Sequence, residues 1–473
     1  MTAETRASST PSRFLRSTLA SYWSLAIRLL VTTAARMALA RLILDRDYGA
    51  YDLALTIVTI ASAVRDLGTA YQLMRDPRRP YGTVMVFGLL SGAGLTALVV
   101  LAASLTSGLS PDLPAVLRVF ALWIFLDGLA TAPRTFFERE LRIGRLVAPE
   151  IARGAIVATL SVVLAWRGHG VWSLVWGDLA GAAVYAAFVW QRAWGDMPRG
   201  VDWSLLPDLL RRGRMLFIIW VLFYLVTYVD RFIVGVYTDV PTVGQYGRAY
   251  YLAFLARQIV FPRALLPALV EYRDDARRFA DAFRVGSLFL LFCEVAAGLV
   301  LFWNADTVVH VFLGPDWEPA VPILRILCLV PFLDVFSELG GEVLKVRHED
   351  RAWLVIIALN LVSLVAFGAA FTHRWGAAGM AWANFLLLGN FVMAWRLRRI
   401  FGAEFAHLLR DMAAVYALPG VLTALAAYAL PPGVGRLAAC VVAVLAGGAL
   451  LYRRFRPLLR SFLAERAAGV SAG

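Results

Sequence analysis

Met215-Leu-Phe-Ile-Ile-Trp-Val-Leu-Phe-Tyr-Leu-Val-Thr-Tyr-Val-Asp-Arg-Phe-Ile-Val-Gly-Val-Tyr237 is the stretch on which the reading of this chain turns. At about 1.5 Å of rise per residue, a helix of this length crosses a hydrocarbon core about 30 Å thick. Apart from Asp230 and Arg231, every residue in it is hydrophobic, Gly or Thr. A charged side chain at mid-membrane costs roughly 2.5–3.5 kcal/mol on insertion scales, so such a residue needs a partner or a wet cavity. The run predicts a membrane helix, and its adjacent charges raise the question of what they serve.

The rest of the chain repeats the pattern. Hydrophobic residues make up 60% and charged residues 17%, with a mean hydropathy of +0.68. A soluble domain has roughly 45–50% apolar and about 25% charged residues. We expect an all-α integral membrane protein with about fourteen transmembrane helices. Six lie near 17–40, 49–73, 81–107, 114–137, 146–166 and 170–191. Six more lie near 215–237, 244–270, 283–303, 319–343, 352–372 and 376–395, with a last pair near 411–429 and 434–452. Residues 1–16 are polar and basic and lead into a full span, so no cleaved signal peptide is expected.

The net charge of +13 does not mark a nucleic-acid protein, because the arginines sit in short clusters between apolar runs. Cys293, Cys328 and Cys440 lie inside apolar segments, and their spacing suits neither a metal site nor a disulfide framework. No Gly-rich phosphate loop is present, and no cofactor is expected.

Loop arginines set the orientation. Alternate loops carry Arg75, Arg78 and Arg79, then Arg139, Arg142 and Arg145, and so on to the tail with Arg453, Arg454 and Arg456. The other set holds Arg41, Arg46, Arg167, Arg374 and Arg436. This asymmetry predicts both termini in the cytoplasm. The expected organisation is a cytoplasmic tail (1–16), a six-helix lobe (17–191) and a connecting segment (192–214). A second six-helix lobe (215–400), two extra helices (401–452) and a basic cytoplasmic tail (453–473) follow. Trp203–Arg212 in the connecting segment reads as a separate interfacial helix.

The halves resemble each other. Leu117-Arg-Val-Phe-Ala-Leu-Trp-Ile-Phe-Leu-Asp127 matches Leu324-Arg-Ile-Leu-Cys-Leu-Val-Pro-Phe-Leu-Asp334 without a gap. Arg167 corresponds to Arg374, and Arg36 followed by Tyr48-Gly-Ala-Tyr51 corresponds to Arg231 followed by Tyr246-Gly-Arg-Ala-Tyr250. Six spans separate the copies, an even number, so both have the same orientation. Such parallel repeats are the plan of alternating-access transporters, with the substrate path between the lobes.

Three pieces carry a resemblance to a known family. One is Arg41-Leu-Ile-Leu-Asp-Arg-Asp-Tyr-Gly-Ala-Tyr51 running on to Val64-Arg-Asp-Leu-Gly68. Another is Asp230-Arg-Phe-Ile-Val-Gly235 with Gly244-Gln-Tyr-Gly-Arg-Ala249, and the last is Trp317-Glu-Pro-Ala-Val-Pro-Ile-Leu324 with Gly376-Ala-Ala-Gly-Met-Ala381. With the span count, they make the chain similar to the Wzx-like polysaccharide flippases of the multidrug/oligosaccharidyl-lipid/polysaccharide superfamily. Lys345-Val-Arg-His-Glu-Asp-Arg351 departs from the short Gly-Arg turn that is common there. The resemblance implies a transporter rather than an enzyme. It would move an undecaprenyl-diphosphate-linked oligosaccharide from the inner to the outer leaflet, for O-antigen, capsule or exopolysaccharide export. Membrane lipids, a polysaccharide polymerase and a chain-length regulator are its expected partners.

Arginine suits a diphosphate, because its planar fork stays charged and bonds in a bidentate manner. Arg28 and Arg257 fall near mid-span, and Arg36 and Arg231 in the outer third. Arg28 and Arg36, eight residues apart, share a helix face to within about 80°. We expect Arg28, Arg36, Arg231 and Arg257 to face a central cavity and attract the diphosphate, while Arg118 and Arg325 are structural. Adjacent residues point about 100° apart on a helix, so Asp230 is expected to bridge to Arg248 as an outer gate. Arg65 and Asp66 are expected to pair locally, to close a gate or to contact the substrate. Asp334 and Glu338, four apart on one face, are the candidates for a coupling H+ or Na+. A drug or cation antiporter would share the fold but favour acid in its lobes. A membrane glycosyltransferase or polymerase would need sizeable outer loops, and Asp45 and Asp47 read as a solvated turn.

Overall fold

The computed structural model describes residues 32–140, 142, 144–255 and 269–470. Every described element is helical, which follows from lipid: with no water to bond exposed amides, a span must satisfy its backbone internally. The first half comprises α1 (described over 32–42), α2 (Asp45–Arg65), α3 (Thr69–Arg75), α4 (Tyr81–Ala102), α5 (Leu113–Phe120), α6 (Leu122–Arg139), α7 (Gly144–Trp166) and α8 (Val171–Ala193). The second half comprises α9 (Leu206–Tyr237), α10 (Val240–Ala253), α11 (Ala276–Phe312), α12 (Ala320–Leu327), α13 (Pro331–Val346), α14 (Asp350–Ala383) and α15 (Leu388–Phe401). Two more, α16 (Ala403–Ala429) and α17 (Val434–Val470), pack on α11.

Helices lie over the described part of each expected span. Nine helical stretches among the described residues pass a length-and-hydropathy test for a crossing, or up to 10 if the α12–α13 pair, bent by 49°, is one span. One of these stretches, Asp350–Phe401, has 52 residues, which exceeds one crossing; Gly376 turns the chain inside it with φ 59° and ψ −147°. The expected interfacial helix is a correction. Asp202 caps a single 3-10 turn, Trp203–Leu205, and Leu206–Arg212 are the first turns of the 32-residue α9 itself. Pro207 in the first turn and Asp208 at the positive end of the helix dipole start it there, continuous with the apolar run.

The repeat is visible in the breaks. α5 (Leu113–Phe120) and α12 (Ala320–Leu327) are both eight-residue helices, followed by a break and a second helix. Gly170, with φ 51° and ψ −130°, opens α8 as Gly376 opens the second part of α14. Packing then separates the two ends of the bundle. At the end with few loop arginines, one core holds residues of both halves, among them Tyr48, Leu53, Phe120, Tyr246, Trp317 and Met380. At the arginine-rich end each half has its own, around Phe136 and Tyr185 in the first and Phe283 and Leu339 in the second. At the arginine-rich end the halves meet through the first turns of α9, where Leu209 joins the first-half core and Arg78 pairs with Asp208 at 2.7 Å.

Candidate functional site

Between the halves lies a cavity of about 860 Å³. α1, α2, α6, α7 and α8 wall it from the first half, α9 and α10 from the second. Five arginines reach it: Arg36, Arg134, Arg153, Arg231 and Arg248. Four carboxylates accompany them, Asp52, Glu138, Glu150 and Asp178, with six tyrosines. Arg36 and Arg231, two of the expected site residues, both line the cavity. Arg28 and Arg257 lie outside the described residues.

The arginines differ in how far their charge is met. Arg36 lies over the Tyr251 ring at 4.0 Å and has no carboxylate partner among the described residues. Arg231 donates to Asp230 Oδ1 at 3.0 Å and to the Thr227 carbonyl at 3.0 Å, and its guanidinium stands 4.5 Å from the Tyr250 ring. Arg248 donates through Nη2 to both Asp52 oxygens, at 2.9 and 3.1 Å, over the Tyr48 ring at 4.3 Å. Arg134 meets Glu138 only at 3.9 Å. Asp178 accepts from the Tyr51 hydroxyl.

The expected Asp230–Arg248 gate is a correction. Asp230 accepts from its neighbour Arg231 and from the Tyr246 hydroxyl at 2.9 Å, while Arg248 turns to Asp52 on the other half. The 100° argument failed because it treated Cβ directions as destinations; an arginine is long enough to fold back along its own helix. Asp52 is 3% and Arg248 13% exposed, so the pair that links α2 to α10 is largely desolvated. A Cβ on Gly247 would stand 1.9 Å from Asp52 Oδ2, which is why glycine occupies that position. Around this latch, Gln245 donates to Asp45 at 2.8 Å, and Trp317 Nε1 donates to the Ala40 carbonyl at 2.8 Å.

Arg65 and Asp66 do pair, at 2.9 Å, but not as a gate between halves. Arg65 also donates to Asp127 at 3.0 Å, to the Ile124 carbonyl at 3.0 Å and to Thr131 at 2.9 Å, all in α6 of its own half. It pins α2 to α6. Arg325 forms an exposed pair with Asp306 at 2.5 Å, and Arg118 is exposed, in keeping with their structural reading.

Asp334 and Glu338 line a second cavity of about 470 Å³, together with Glu342, Lys345, Asn360 and Asn384. Asp334 accepts from Asn390 Nδ2 at 2.9 Å, and Asn390 Oδ1 accepts from Asn360 at 3.1 Å. Its repeat counterpart Asp127 takes the Arg65 charge instead. Thr227, Tyr250 and Phe254 belong to both cavity walls.

Sequence reasoning missed Arg134, Glu138, Glu150 and the tyrosine lining, and gave no role to Asp52, Arg153 or Asp178. Asp52 directly follows the Tyr48–Tyr51 motif and was within reach of notice. Arg134 and Glu138 sit near the end of a span, where a charge reads as interfacial.

A family model described as polysaccharide biosynthesis protein matches residues 38–322. The lipopolysaccharide biosynthesis protein WzxC of Escherichia coli (strain K12) is 23% identical over 320 residues, 65% of this chain and 65% of WzxC. The teichuronic acid biosynthesis protein TuaB of Bacillus subtilis (strain 168) is 22% identical over 192 residues, 38% of this chain and 40% of TuaB. The matches thus span less than two thirds of these curated relatives. Among solved structures, that of the lipid II flippase MurJ in an inward closed conformation superposes with a TM-score of 0.74 at 12% identity, covering 91% of this chain and 98% of MurJ. At that identity the likeness concerns the fold alone. The chain belongs to the polysaccharide biosynthesis protein family.

Proposed function

We propose that this protein is a lipid-linked oligosaccharide flippase, moving an undecaprenyl-diphosphate-linked glycan unit from the inner to the outer leaflet by alternating access. The observation that carries the reading is the cavity between the halves, where Arg36 and Arg231 stand on one wall-lining set with six tyrosines. Arg36 keeps charge to spare for a diphosphate, the tyrosines and carboxylates can meet a glycan's ring faces and hydroxyls, and the lipid tail stays in the bilayer. WzxC and TuaB are named for polysaccharide pathways, which supports the substrate class. The Asp52–Arg248 latch holds one end shut, and its release would expose the cavity at that side. The inner-membrane location with cytoplasmic termini, the two-lobe division at 192–214, and work alongside a polymerase and a chain-length regulator belong to the same proposal.

Arg36→Ala should abolish polysaccharide export at normal membrane levels of the protein, and Arg36→Lys should keep part of it, since lysine preserves charge but not the fork. Export at the wild-type rate in Arg36→Ala cells would falsify the diphosphate assignment. Coupling to H+ or Na+ at Asp334 and Glu338 is the second element of the proposal, supported by their shared cavity. Asp334→Asn should remove the dependence of transport on an imposed ion gradient in proteoliposomes. An unchanged gradient dependence refutes the coupling role. The acidity of that cavity also favours, as a second reading, a cation or drug antiporter; efflux of cationic dyes without any binding of undecaprenyl diphosphate would decide for it.

A further inference from the structure

α9 carries a row of aromatic rings that runs from one cavity to the other. Trp220, Tyr224 and Tyr228 follow at four-residue steps, each one turn and about 40° on from the last. Their ring centroids are 6.4 Å apart for the first pair and 6.3 Å for the second, and the Tyr224 and Tyr228 planes differ by only 13°. Parallel planes at that spacing turn their π faces the same way. Arg231 continues the row, its guanidinium 5.4 Å from the Tyr228 ring. Trp220 lines the second cavity, Tyr228 and Arg231 line the first, and Thr227 lines both, so the row connects the two, with Tyr224 between its ends.

Packing alone does not account for the row. All three rings are half-buried rather than enclosed. Tyr71 of α3 and Phe223 hold Trp220 at 5.9 and 5.5 Å, yet its Nε1 is shielded from solvent and has no hydrogen-bond partner among the described residues. A buried indole N–H normally finds an acceptor, because leaving it unmet costs about 1–3 kcal/mol. The donor points to a ligand rich in acceptor oxygens.

We propose that Trp220, Tyr224 and Tyr228 form a track on which the sugar rings of the lipid-linked glycan stack, with the Trp220 N–H donating to a glycan hydroxyl and Arg231 at the end of the row facing the diphosphate. This inference rests on the flippase reading above. A pyranose face carries several C–H bonds with slight positive charge, and an aromatic face carries the negative lobe of its quadrupole. Such contacts read ring faces rather than hydroxyl patterns, as base stacking does on single-strand platforms. Several similar weak positions in sequence suit a conduit, where binding must be strong enough to enter and weak enough to leave.

The test uses the purified full-length chain and two probes: undecaprenyl diphosphate bearing a glucose tetrasaccharide, and bare undecaprenyl diphosphate. The quantity read is the ratio of the two affinities. Wild-type protein should favour the glycan-bearing lipid by about tenfold or more, the scale of one or two stacked rings. Trp220→Leu with Tyr224→Leu and Tyr228→Leu, which keeps apolar bulk but removes the π faces, should bring the ratio to about one. Phenylalanine at the same three positions should keep it within about threefold of wild type, the loss being the indole N–H. A wild-type ratio near one, a leucine variant that keeps the wild-type ratio, or a phenylalanine variant that loses it as fully as leucine overturns the track. Wild-type protein that binds neither lipid overturns the flippase reading itself.

Discussion

Asp52 and Arg248 illustrate how much one buried pair can control. Their side chains are largely desolvated, so each supplies the charge that compensates the other. Asp52→Ala leaves Arg248 without its carboxylate, at a cost of about 3–5 kcal/mol. A lowered melting temperature of the detergent-purified protein should show it, and Asp52→Arg combined with Arg248→Asp should recover part of the loss. Single alanine variants that melt like wild type exclude the latch. Gly247→Ala tests the same contact from the other side. Its Cβ would meet Asp52 Oδ2 at 1.9 Å, and displacing that carboxylate should destabilise the protein by about 1–3 kcal/mol. At Asp230, by contrast, removing the carboxylate should loosen Arg231 and Tyr246 without touching Arg248.

The elements of the two halves carry the same punctuation. Gly170 and Gly376 share a backbone conformation that side-chain-bearing residues rarely adopt, each where a chain turns at the low-arginine end into a helix of its repeat. Alanine at either should cost about 1–3 kcal/mol and lower membrane levels of the protein, an effect that quantitative immunoblotting can follow. Comparable levels of both variants and wild type would mean the turns are looser than their geometry. Spans and the repeat offset were legible in the sequence, because length and hydropathy act along one helix; the breaks near 121 and 328–330, inside the expected spans 114–137 and 319–343, were not. The interfacial helix was not: Trp203–Arg212 mixes apolar and basic residues as an interfacial helix does. Only its continuity with Met215–Tyr237 shows that Leu206–Arg212 begins α9.

At the scale of the whole molecule, one core shared by both halves at one end and separate cores at the other make the bundle asymmetric along its axis. Alternating access would require the shared end to part. Cysteines in place of Asp45 and Gln245, whose native side chains bond at 2.8 Å, should cross-link on oxidation and stop export, with recovery on reduction. Continued export by the fully cross-linked protein rules out opening at that end.

Sequence by itself determined the membrane class, the repeat, the family and the presence of arginines at matching places in the two halves. Arg36 and Arg231 were legible as cavity residues because a charge within an apolar run has few places to go. Which carboxylate meets which arginine was decided only by the tertiary structure. Asp52 reaches Arg248 across 196 positions because α2 and α10 cross closely, and the same crossing leaves Asp230 to its neighbour. Hydropathy and periodicity report on a helix and its solvent. Pairing depends on how distant helices are rotated and how far a long side chain can bend, and neither quantity is written along the chain.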